Sequence, residues 1–179
     1  MVPDIAERLT TMLGSLVDVV LPAIDPHSSA SQEQAHLTVA SLRMVIQQID
    51  YAHAFEVTDC RALISLVREI SSILEPAPAT TDLSDVEALL GRPVLFTGDV
   101  RAANRRMRDI VATLVEEAAA AAGTEQFRRV TQAVLAYEDV QIRRDRAFVA
   151  GTGFDVEPET LVPIADSFAL TTLDSGGAK

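Results

Sequence analysis

The sequence predicts an all-α protein: an up-and-down helical bundle of four long helices plus one short helix, with a C-terminal arm. Three observations predict it. Apolar residues recur at three- and four-residue spacing in segment after segment. The segments are punctuated by Asp, Ser, Thr, Gly and Pro at the places where helices start and stop. Only Val94-Leu95-Phe96 reads as extended, and it is too short to build a sheet. The apolar stripes are wider than the two-position seam of an extended coiled coil, which favours a globular bundle.

The first helix carries Ile5, Leu9, Met12, Leu16 and Val19, flanked by Leu13, Val17, Val20 and Ile24. Asp4 and Glu7 have the spacing of an N-cap and its capping-box partner. Pro22 and Pro26 kink and stop this helix, because each ring removes a donor and clashes with the preceding turn. The second helix opens after His27-Ser28-Ser29 and carries Ala35, Val39, Leu42, Ile46, Ile49 and His53. Thr58 or Asp59 then caps a third, with Leu63, Leu66, Val67, Ile70, Ile73 and Leu74. Residues 76–82 read as a linker. Ser84 with Glu87 has the form of a capping box for a short helix closed by Gly91.

The fifth segment starts at Asp99, carries Val100, Ala103, Met107, Ile110, Leu114 and Ala118, and ends in alanines and Gly123. Thr124 caps the sixth, with Phe127, Val130, Val134 and Tyr137 on one row. So short a turn forces these two helices into an antiparallel hairpin. Residues 1–150 are therefore read as the bundle domain. Residues 151–179 form an arm, too apolar to be a free tail and too rich in proline for a long helix. A short helix near 158–162 is expected, with the arm docked on the bundle or on a partner subunit and only Asp174–Lys179 free.

Composition removes several chemistries. Lys and Arg number 15 against 26 Asp and Glu, a net charge of −11 in 179 residues, which opposes binding to nucleic-acid phosphates. Lys179 is the single lysine, so neither a P-loop nor a Schiff-base lysine is on offer. Cys60 is the single cysteine, which excludes an internal disulfide and thiolate zinc sites. No cofactor motif is present. The acidic N-terminus is unlike a secretory signal, and Asp18, Arg43 and Glu116-Glu117 interrupt every apolar run before the ~18 residues a membrane span needs. These features point to a cytoplasmic protein. The strong preference for Arg over Lys, with abundant Ala, is typical of a GC-rich bacterial genome.

Three constellations are candidates for function. Glu33-x-x-His36 and Asp50-x-x-His53 have metal-ligand spacing, but on one helix they stand roughly 25 Å apart, so no shared metal is expected. His53, with Glu56 and Asp59 one and two turns on, is the one plausible acid–base group, since burial beside a carboxylate tunes a histidine. Arg101, Asn104, Arg105 and Arg108 lie along one helix, where guanidinium forks and helix N–H groups suit a phosphate or carboxylate. They also read as a solvated face opposite the apolar stripe. Residues 99–150 hold nine of the fourteen arginines and are near neutral, whereas the rest of the chain is acidic. Such segregation suits complementary packing within a subunit or across a dimer.

A mean hydropathy of +0.19 leaves apolar surface to hide, and two-fold dimers are the commonest solution. The functional expectation is a non-catalytic helical-bundle protein acting through protein–protein association, as a homodimer or with another protein. The alternative is a small-ligand-binding protein or enzyme that holds an anionic group at the arginine cluster.

Overall fold

The computed structural model describes residues 4–74, 82–121, 123–152 and 155–170. All regular structure among them is helical. In chain order the elements are α1 (Ile5–Ser15), a π-helical turn (Leu16–Val20), α2 (Leu21–Ala23), α3 (Ser29–Gln48), α4 (Ala52–Ile73), α5 (Ser84–Leu90), α6 (Thr97–Ala121) and α7 (Thr124–Phe148). Two 3-10 turns (Ala150–Thr152 and Pro158–Thr160) and α8 (Ile164–Ser167) follow. The all-α bundle expected from the periodicity is present, with four helices of 20 to 25 residues. The linker at 76–82, apart from Asp82, and the free end at 174–179 lie outside the described residues.

Local chemistry explains where the elements depart from expectation. Pro22 has no N–H to give the Asp18 carbonyl, and its ring crowds that carbonyl. The chain answers with a π-turn, in which the Leu21 N–H reaches back to the Leu16 carbonyl, before the helix stops at the extended Ile24. Asp4 occupies the N-cap position of α1 but makes no side-chain capping bond. Leu83, not Ser84, is the N-cap of α5: the Ser84 N–H is held by the Asp82 carboxylate at 2.9 Å, and Glu87 pairs with Arg68. The largest difference is at the second boundary. The helix expected to reach His53 ends at Gln48, and Ile49-Asp50-Tyr51 form a turn without Gly or Pro. Helix α4 starts at Ala52, so Thr58 and Asp59 lie inside it and cap nothing.

The contacts divide the chain into two compact units. The first comprises residues up to Tyr51 with Arg146–Val162, and the second Ala52–Asp145 with the residues from Pro163 on. In the first unit α1 and α3 lie together, and Gln32 of α3 donates to the Ile24 carbonyl. Gln48 donates to the Phe148 carbonyl at 2.8 Å. Arg146 grips Asp155 through two bonds of 2.9 and 2.7 Å and adds the Thr160 hydroxyl. That grip, with the Glu157 N–H, holds the Asp155 carboxyl down to about 2. Val39 and Ala147 are the only buried apolar residues of this unit among those described.

The second unit holds the core. Leu63, Val67 and Ile70 of α4 meet Val100, Met107 and Leu114 of α6, with Val86 of α5 and Val130 of α7. Glu56 meets Arg101 and Asn104 while Asp59 meets Arg108, so residue numbers rise together and α4 runs parallel to α6. Asp59 meets Tyr137 and Ile73 meets Gln126, so α7 is antiparallel to α4. The expected α6–α7 hairpin is present, and α5 lies in the return connection that makes α4 and α6 parallel.

Leu114 is fully buried, whereas Leu135 is 62% exposed. Leu114→Ala is expected to cost about 2–5 kcal/mol in urea unfolding, and Leu135→Ala about 0.5 kcal/mol or less.

Candidate functional site

The arginine row of α6 does not face solvent alone. Residues three and four apart share a helix face, and here that face borders the one occupied by Ala103 and Met107. Asn104 is wholly buried. Its amide donates to the Glu56 carbonyl at 3.0 Å and to the Glu56 carboxylate at 2.9 Å. Arg101 donates to the other Glu56 oxygen at 2.8 Å, and Arg108 to Asp59 at 2.6 Å. Three of the four candidate anion ligands thus converge on two carboxylates of α4, while Arg105 is exposed. Asn104 Oδ1 is buried with no hydrogen-bond partner among the described residues. Flipping the amide would aim that oxygen at two acceptors, so the Glu56 contacts fix its orientation.

Asp59 is the centre of the cluster, at 1% exposure. One oxygen accepts from Arg108 and the other from the Tyr137 hydroxyl, both at 2.6 Å. Such short charge-assisted bonds are the strong ones, and they tie α4, α6 and α7 at one point. Burial still prevails over both partners, and Glu56 adds repulsion, so the Asp59 carboxyl titrates above the ordinary aspartate range. Burial and the adjacent Asp59 together push the Tyr137 phenol up. Around this centre Gln141 accepts from Arg144 at 2.9 Å and donates to Asp145 at 2.8 Å. Cys60, next in α4, is fully buried, and burial raises its thiol pKa.

The candidate acid–base pair goes to separate partners. His53 is exposed, with Nδ1 3.0 Å from the Thr97 hydroxyl, and Glu56 is held by Arg101 and Asn104. No hydrogen bond joins His53 to Glu56 among the described residues. Nor do three or more His, Cys, Asp or Glu side chains there gather as a metal cluster. No described helix is long and apolar enough to cross a membrane.

Sequence reasoning named Arg101, Asn104, Arg108 and Glu56, but missed Tyr137, Gln141 and Arg144. The signal was present. Asp59 lies four residues before Leu63 on the apolar stripe of α4, and Arg144 falls on the stripe that includes Val130, Tyr137 and Ala147. A charge on an apolar stripe marks a buried polar cluster.

Because the folded Asp59 carboxyl titrates above its ordinary range, its contribution to stability is complete below that range and is lost as pH rises through the folded value. Asp59→Asn removes the titration and keeps an acceptor for Tyr137. Urea unfolding from about pH 4 to 7 should therefore show the variant gaining on the parent as pH rises. A flat or falling difference would mean that Arg108 and Tyr137 outweigh burial. Comparison with protein-family models, curated proteins and solved structures finds no match for this chain.

Proposed function

We propose that this protein acts without catalysis, through association of two copies along the outer face of α1 and the π-turn. One observation carries the reading. Ile5, Met12 and Val19, the outer members of the main stripe of the first helix, are 62%, 57% and 67% exposed. They recur every seven residues, with half-buried Leu9 and Leu16 between them, in the spacing of a coiled-coil seam. Single exposed apolar residues are ordinary, but a continuous stripe calls for a partner.

The order of side chains favours a second copy as that partner. The stripe reads Ile, Leu, Met, Leu, Val and is near-symmetric about Met12. An antiparallel copy sets Ile5 against Val19, Leu9 against Leu16, and Met12 against itself, as a two-fold interface demands. The composition supports a protein partner rather than nucleic acid, and it fits an acidic cytoplasmic protein of a GC-rich bacterium. The alternative reading, an anion at Arg101, Asn104, Arg105 and Arg108, sets a further negative charge beside Glu56 and Asp59, which already neutralise Arg101 and Arg108. Association along α1 meets no such repulsion.

Light scattering across a concentration series tests the reading. The parent is expected to be dimeric, and Met12→Glu to weaken the dimer by about tenfold or more, since it places a charge at the centre of the seam. Helix content should stay unchanged, because Met12 is exposed within one copy. Met12→Cys should cross-link to its own copy on oxidation, the native Cys60 being buried. A parent that stays monomeric, or a Met12→Glu protein that stays fully dimeric, would sink the proposal.

A further inference from the structure

The second unit contains a cavity of about 280 Å³ between α4 and α7. Small side chains make the space: Ala62 on α4 and Ala133 and Ala136 on α7, with Leu66 and Val140 completing apolar walls. At one end stands Arg144, 4% exposed. Its Nη1 donates to the Gln141 amide oxygen at 2.9 Å, and Nε reaches the Ser167 carbonyl at 3.4 Å. Both acceptors are neutral. No carboxylate of the described residues forms an ion pair with this guanidinium, and Asp59 and Asp145 act on it only at longer range. Burial lowers the Arg144 pKa accordingly. A buried cation with neutral partners is costly, and a carboxylate beside it relieves that cost.

The opposite end carries the opposite sign. Asp59 is level with Tyr137 and Ile73 with Gln126, so Glu69, the remaining charged lining residue, lies far along the groove from Arg144. A guanidinium at one end, a carboxylate at the other and alanines between select a molecule with one negative charge and an apolar body. A cavity of about 150 Å³ accommodates benzene, so this one has room for a body of that size plus a carboxylate.

We propose that the cavity between α4 and α7 is a binding site for a small free monocarboxylate, with its head on Arg144 and its apolar body against Ala133 and Ala136. Calorimetric titration of the full-length protein with hexanoate, hexan-1-ol and adipate tests it. Hexanoate is expected to bind saturably at one site per chain. Hexan-1-ol should bind about tenfold more weakly or worse, since it lacks the charge-assisted bond. Adipate should be weakened by at least about tenfold as well, because its second carboxylate must leave water beside the apolar walls with no cation to meet it.

Arg144→Gln should lower hexanoate affinity by about tenfold. Ala136→Leu fills the cavity without touching the guanidinium, so it should abolish binding while the melting temperature holds or rises. That variant keeps the test decisive if Arg144→Gln fails to fold. Absence of saturable hexanoate binding to the folded parent, equal binding of hexan-1-ol or adipate, or undiminished binding to Ala136→Leu each overturns the proposal.

Discussion

The arrangement of the second unit depends on a carboxylate taken out of water. Asp59 sits where the apolar stripe of α4 would otherwise continue, and its two oxygens are claimed by Arg108 of α6 and Tyr137 of α7. A buried, hydrogen-bonded charge tolerates few geometries, so it fixes how three helices rotate about their axes where apolar packing alone would accept several. Arg101, which stands near the N-terminus of α6 against the helix dipole, is explained by the same contact zone: Glu56 supplies the compensating charge at 2.8 Å. Glu56 and Asp59 lie one and two turns into α4, so their side-chain partners, and not the helix dipole, stabilise them. Arg146 stands in the last turn of α7, where the dipole favours a base.

Much of the fold was legible because it depends on periodicity. The helices containing Leu63–Ile73, Val100–Ala118 and Val130–Tyr137 lie where their apolar spacing puts them, and the α6–α7 turn lies at Gly123. The α3–α4 boundary was hidden because Ile49-Asp50-Tyr51 carries no breaker, and the apolar spacing continues through the turn to His53. Direction was hidden too. Nothing local announces that the connection containing α5 returns the chain and makes α4 parallel to α6. Of the candidate site, the arginines and Glu56 were visible as a pattern, but their mutual pairing depends on tertiary register. Asp59 was misjudged as a cap because an aspartate near a turn has a ready local explanation.

The two units differ in what holds them. In the second, aliphatic side chains from four helices form a continuous core. In the first, only Val39 and Ala147 are buried among the described residues, and specific polar links such as Arg146–Asp155 and Gln48–Phe148 do much of the joining. The π-turn before Pro22 matters here, because one extra residue per turn rotates everything beyond it. Leu16 and Val19, the last two members of the stripe of the first helix, stand on this turn.

The parallel run of α4 and α6 has a kinetic consequence. Their polar contacts join residues 45 to 49 apart in sequence, whereas α6 and α7 are neighbours through a tight turn. Closing the longer loop costs entropy before any contact between α4 and α6 repays it. Asp59 rides on α4, and both of its partners lie beyond that loop, so the carboxylate loses its water only in exchange for contacts that the closed loop supplies.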